Sequence, residues 1–154
     1  MITYRAAKFD DVEKIHKLLN DYAKAGLMLP RSRNAIYENL RDYIVAMQGS
    51  HLVGCGALHF VWDRLAEIRS LAVDPELKCT GIGRNIVELL EKEGIERGVK
   101  MFFTLTYQPG FFAKCNYIET AKEKLPQKVW KECVYCPQYP YCNEIAFVKT
   151  TVDY

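Results

Sequence analysis

At 154 residues, with 49% apolar and 26% charged side chains, the chain suits one globular domain spanning 1–154 around a single core, and this composition excludes an intrinsically disordered chain. A net charge of +2, with Lys and Arg scattered along the sequence, provides no basic stripe for a nucleic-acid backbone. No apolar run approaches the roughly 18 to 20 residues that cross a bilayer, and MITYRAAKFDD has neither an apolar h-region nor a cleavage pattern, so the expectation is a cytoplasmic protein without a membrane partner.

Along the chain, Asp10 and Glu13 have capping-box spacing, and Val12, Ile15, Leu18, Leu19 and Tyr22 recur at helical spacing until Gly26, which predicts a helix over 10–25. LMLPRSR reads as a loop, after which Ser32 caps a short helix carrying Ile36, Tyr37 and Leu40. Tyr43 to Met47 and Leu52 to Val61 are rich in β-formers and read as a hairpin across Gln-Gly-Ser. In the next strand, LAEIRSLAV, strict alternation puts Leu65, Glu67, Arg69 and Leu71 on one face and Ala66, Ile68, Ser70 and Ala72 on the other. Asp74-Pro75 ends it. From Gly81 to Arg97, Ile82, Ile86, Val87, Leu89, Leu90 and Ile95 form a wide apolar stripe, the clearest helix in the sequence. MFFTLT is a strand, PGFFAKC a short helix opened by Pro109, and EIAFVKT a final strand. This order predicts an α/β (α+β) fold built on one mixed sheet.

The informative stretch is IRSLAVDPELKCTGIGRNIVELLEK, a strand that passes through a Gly-containing loop directly into a helix. Gly81 and Gly83 let the main chain come close to a phosphate, and the unpaired N–H groups at the helix start stabilise negative charge there, with Lys78 and Arg84 as cations at the rim. A P-loop is excluded, because Gly83 is followed by Arg84-Asn85 instead of Lys-Ser/Thr. A dinucleotide fingerprint needs a third Gly where Ile86 stands.

Lys78-Cys79-Thr80-Gly81-Ile82-Gly83 resembles the Gln/Arg-x-x-Gly-x-Gly/Ala signature of the GCN5-related N-acetyltransferase (GNAT) family. LAVDPE before it is similar to that family's fourth strand, and FFAKCNYIE after the next strand to its Phe-Tyr-x-Lys-x-Gly-Phe segment. The resemblance implies a mostly antiparallel sheet with splayed central strands, flanked by about four helices. It also implies acetyl-CoA as cosubstrate and no required metal. The pantetheine arm would bond the backbone of Leu71, Ala72 and Val73. The diphosphate would sit over Lys78, Cys79, Thr80, Gly81, Ile82, Gly83 and Arg84, and Phe111, Phe112 and Lys114 would border the adenosine and thioester. C-terminal strands of such folds often pair between subunits, which points to a homodimer.

Acetyl transfer requires a neutral amine. Glu67 is at a family-typical position to take the proton, directly or through water. The family's usual acid, a Tyr, is replaced by Phe112, and Tyr107 at the mouth of the same strand is the replacement candidate, with Tyr117 and Cys115 behind it. Arg31, Arg33 and Arg69 offer guanidinium groups to a substrate carboxylate. LMLPRS, GCGALH, AEIRSLAV and LPQKVWK are together similar to short stand-alone N-acetylglutamate synthases, which implies L-glutamate as acceptor and arginine biosynthesis as pathway. Another small amine or a protein amine is the alternative acceptor, and an acyl-CoA sensor without turnover is the alternative function.

Cys133-x-x-Cys136-x5-Cys142 has spacing that could begin a zinc site, but no fourth ligand is evident, and reduced thiols are expected. His16, His51 and His59 show no ligand-pair spacing; His59 is a candidate for the acceptor pocket.

Overall fold

The computed structural model describes residues 1–125 and 144–151. The strands are β1 (Ile2–Ala6), β2 (Tyr43–Gln48), β3 (His51–Trp62), β4 (Leu65–Val73), β5 (Met101–Thr106), β6 (Ile118–Thr120) and β7 (Ile145–Thr150). The helices are α1 (Val12–Lys24), α2 (Arg33–Glu38), α3 (Ile82–Glu96) and α4 (Pro109–Lys114). The strands form one sheet in the order β1-β2-β3-β4-β5-β7-β6. Every neighbouring pair is antiparallel except β4 and β5, which run parallel.

That parallel pair positions the site. It is held by only three rungs, Leu65 to Met101, Ala66 to Phe102 and Glu67 to Phe103, although β4 continues to Val73 and β5 to Thr106. Beyond Glu67 the two strands separate, as the family resemblance implied. The splay leaves Ile68 to Val73, two thirds of β4, without a backbone rung to β5.

Helices cover both faces. Against one face α3 buries Ile82, Ile86, Val87 and Leu90 on Ala66, Ile68, Phe102 and Phe147. Gly56 permits the close approach, since a Cβ there would lie 2.7 Å from Ile86 Cγ2. Against the other face α1 and α2 bury Val12, Ile15, Leu19, Tyr22 and Ile36 on Val45, Cys55, Ala57 and Ala72. Burying a Leu, Ile or Val side chain contributes about 1.5–3 kcal/mol each, so these stripes fix which face each helix takes.

Two sequence expectations are corrected here, and two strands are added. The Asp10–Glu13 capping box does not form; Asp11 instead accepts the Lys8 amide at 2.7 Å and the Arg5 guanidinium at 2.7 and 3.0 Å. The strict alternation in β4 fails at Ser70, where φ is +56° and the pairing with β3 shifts, so that Arg69 faces Ala57 while Ala72 faces Cys55. The extra residue forms a β-bulge that moves Leu71 to the α3 face and Ala72 to the α1 face, the reverse of their assignment by alternation. The added strands are β1 and β6; β1 pairs along its whole length with β2.

Candidate active site

The wedge between β4 and β5 opens into a cleft of about 1270 Å³. One wall is β4, with Glu67, Arg69, Leu71, Ala72 and Val73. A second is the loop into α3, with Lys78, Cys79, Gly81, Ile82, Gly83 and Arg84. Tyr107, Phe111, Phe112 and Lys114 close it from β5 and α4, and Arg31 reaches it from the loop before α2. The fold thus brings together at one cleft residues that lie far apart in the chain.

At the α3 end the backbone is shaped for an anion. Gly81 caps the helix at φ +91°, a left-handed conformation that favours glycine, and a Cβ there would meet nothing within 4 Å. Cys79 is also left-handed, at φ +65°. The first N–H groups of a helix have no partner within it, and the residues that carry them here, Ile82, Gly83 and Arg84, line the cleft. Gly83 has a different role from Gly81: a Cβ there would lie 3.2 Å from Phe111 Cε1, so its bareness lets α4 pack against α3. Thr80 turns aside, its hydroxyl bonding the Leu77 carbonyl. The ammonium of Lys78 stands 5.1 Å from the Tyr22 ring centroid, and Arg84 pairs with Glu88 at 3.3 Å one helical turn on.

At the other end lie the charges. Glu67 sits on the last rung of the parallel pair, with its Oε1 3.6 Å from Arg69 Nε, and both side chains are largely shielded from solvent. Beside them the Tyr43 hydroxyl donates to Ser70 Oγ at 3.1 Å, and burial raises the Tyr43 hydroxyl above the ordinary phenol range. His59 is cross-strand from Glu67, and its Nδ1 is 2.7 Å from Asp42 Oδ2.

Arg33 is not part of this arrangement. Its Nε donates to Glu13 at 2.7 and 2.8 Å on the outer surface between α1 and α2, away from the cleft lining. It is the first residue of α2, directly after Ser32, whose side chain caps the helix by accepting the Ala35 amide. Phe112, at the position of the family's acid, is 4% exposed and packs edge-on against Phe111 and Tyr117. Tyr117 donates to Glu91 at 2.7 Å, with burial raising its hydroxyl, so it is committed to a buried contact under α3. The thiols of Cys133, Cys136 and Cys142 lie outside the described residues.

Sequence reasoning missed Tyr22. It counts as one more member of the α1 apolar stripe, yet its hydroxyl donates to the Val73 carbonyl at 2.8 Å and accepts the Val73 amide at 2.9 Å inside the cleft. Nothing in the spacing distinguishes it from Ile15 or Leu19; only the fold does.

A parallel pair that splits over a glycine-capped helix start is the arrangement that the acetyltransferase resemblance implied, and the chain is an acyltransferase. The model of the acetyltransferase (GNAT) family matches residues 12–117, and the chain belongs to that family. It is 44% identical over 146 residues to an uncharacterized N-acetyltransferase of Chlorobaculum tepidum, covering 95% of this chain and 94% of that one. It is 34% identical over 131 residues to an amino-acid acetyltransferase of Mycobacterium tuberculosis, covering 83% and 75%. Among solved structures, Rv2747 of Mycobacterium tuberculosis, in complex with CoA, superposes with a TM-score of 0.84 at 27% identity over 97% of this chain and 99% of that one. The N-acetylglutamate synthase of Neisseria gonorrhoeae, complexed with coenzyme A and N-acetyl-glutamate, shares the fold at TM-score 0.87 and 22% identity, over 97% of this chain and 35% of that one.

Proposed function

We propose that this chain transfers the acetyl group of acetyl-CoA to the α-amino group of L-glutamate, in arginine biosynthesis. The observation that carries the reading is the fork itself. A carrier threaded between β4 and β5 would have its diphosphate at Gly81 to Arg84 and its thioester near Glu67, while an acceptor enters from the Arg31 and Arg69 side. The 34% identity to an amino-acid acetyltransferase supports an amino-acid acceptor.

The reaction joins amine nitrogen to the acetyl carbonyl carbon and breaks the carbon–sulfur bond. Glu67 accepts the proton the amine must lose, directly or through water, so that the nitrogen lone pair is free. Arg31 and Arg69 hold acceptor carboxylates, for which guanidinium forks are suited. Tyr107, at the mouth of β5, returns a proton to the departing thiolate, and solvent supplies it where Tyr107 does not, because a thiol of pKa about 8.5 is a tolerable leaving group. Glutamate attacks while the thioester is still in place, so no acyl-enzyme forms.

The test is release of CoA thiol at fixed acetyl-CoA with glutamate and a panel of other amines. Glutamate-dependent release, lost on Glu67→Gln while CoA still binds, is the expected result. Release with another amine but not with glutamate overturns the acceptor. Thermal stabilisation by CoA without turnover of any amine favours an acyl-CoA sensor, the reading to which the missing hydroxyl at Phe112 points.

A further inference from the structure

Acetyl transfer leaves the buried Tyr22 hydroxyl of the cleft unused. Tyr22 is 5% exposed, and from α1 it reaches across to β4 to engage both polar backbone groups of Val73. The Asp74 amide donates to the Val53 carbonyl on β3 at 2.8 Å. Alternation along an antiparallel pair then turns the N–H and C=O of Val73 away from β3, toward the side that β5 has left. A buried peptide group rarely goes without a partner. In an unbroken sheet the next strand would supply it; here a phenol does.

One secondary amide offers such an edge the same pair of functions, a donor and an acceptor. The arm of CoA contains amides, and on the proposed function, on which this inference rests, it runs along this edge. We propose that the Tyr22 hydroxyl holds the place of one of those amides in the free protein and surrenders the Val73 pair when the carrier binds. Lys78 couples the exchange to the other end of the carrier. Its ammonium rests 5.1 Å from the Tyr22 ring centroid, and it belongs to the loop that would meet the diphosphate. A phosphate that draws Lys78 away removes the cation from the ring as the amide displaces the hydroxyl. Tyr22 is therefore a positioning residue: it keeps the edge of β4 paired and extended before the carrier arrives.

Tyr22→Phe keeps the ring and its core contacts and removes only the hydroxyl. A placeholder stabilises the free state alone, so its loss tightens CoA binding, by about two- to tenfold for one or two modest hydrogen bonds. The KM for acetyl-CoA falls in step, and the melting temperature drops in the free variant but not in the CoA-saturated one. Weaker binding by the variant would make Tyr22 a ligand contact, and unchanged binding with both melting temperatures lowered equally would make it structural support only; either overturns the proposal. Binding of CoA by neither wild type nor variant overturns the proposed function, and the placeholder with it. Independently of whether the phenylalanine variant folds, 3-fluorotyrosine at position 22 of the full chain gives a fluorine resonance that moves on CoA saturation, and one that stays fixed overturns the proposal.

Discussion

The hydroxyl of Thr104 donates to the carbonyl of Ile68 at 2.8 Å, one rung past the last backbone pair between β4 and β5. A side chain thus makes the final link where the backbone ladder has ended, and the fork begins beyond it. Thr104 is 2% exposed, so water does not replace the bond when it is lost.

Thr104→Val, nearly the same in volume, leaves the Ile68 carbonyl unpaired. The expected cost is about 1–2 kcal/mol, or about 3–6 °C in melting temperature for a chain of this size. Thr104→Ser keeps the link and loses less. Thermal melts of the two variants decide it: an equal loss in both assigns the effect to packing instead of the hydrogen bond.

Ser70 sets where β4 turns its backbone. Its left-handed φ of +56° is strained for a branched side chain, and its Oγ also accepts the Tyr43 hydroxyl. Ser70→Val is expected to cost about 2 kcal/mol or more, and Ser70→Gly, which loses only the Tyr43 bond, about 1 kcal/mol. Urea unfolding that ranks glycine below valine would mean that the bulge does not require this conformation.

That bulge also marks where sequence reading stopped. The helices and central strands were legible because their apolar periods are long, and Gly81 because only a few residue types suit a helix entry at positive φ. The bulge was not, since Ser70 carries no glycine signal, and one inserted residue exchanges the faces of Leu71 and Ala72. Arg33 was grouped with Arg31 because both lie in one basic loop; α2 turns it to Glu13, a partner twenty residues earlier that spacing does not reveal. Edge strand β1 alternates Ile2 and Tyr4 with Thr3 and Arg5, and a period-2 pattern over 5 residues is too short to stand out in the sequence. Tyr22 could not be found at all, because its partner is main chain on a strand 51 residues away.

Acid should weaken the fold at Asp11. Hydrogen bonds from Arg5 hold its carboxyl below the usual Asp range; burial opposes this, and the Lys8 amide assists. A carboxyl depressed in the folded state contributes fully above the unfolded value of about 3.9, and the contribution disappears as pH falls through the lower folded value. Because the Arg5 side chain is 35% exposed, solvent screens the pair, and Asp11→Asn is expected to cost only about 1–2 kcal/mol at pH 7. In urea unfolding the gap between wild type and variant should stay constant from pH 7 to about 5 and close below about pH 4. A gap that is the same at pH 3 as at pH 7 removes the ionised pair as its cause.

The cysteines report on the cleft without any assay of turnover. Cys79 is exposed in the loop before α3 and lines the cleft. Cys55 is buried beneath α1, with its Sγ 3.4 Å from the Ser70 carbonyl, and burial pushes its thiol up to about 12; burial raises Cys115 as well. Since the thiolate is the reacting form, iodoacetamide should label Cys79 at least about tenfold faster than Cys55 or Cys115 at neutral pH. Peptide mapping separates these sites from Cys133, Cys136 and Cys142. Saturating CoA should slow labelling of Cys79 by about tenfold, because a bound diphosphate screens the loop from solvent and brings negative charge beside it. Labelling at the same rate with CoA demonstrably bound would put the diphosphate elsewhere than at the start of α3.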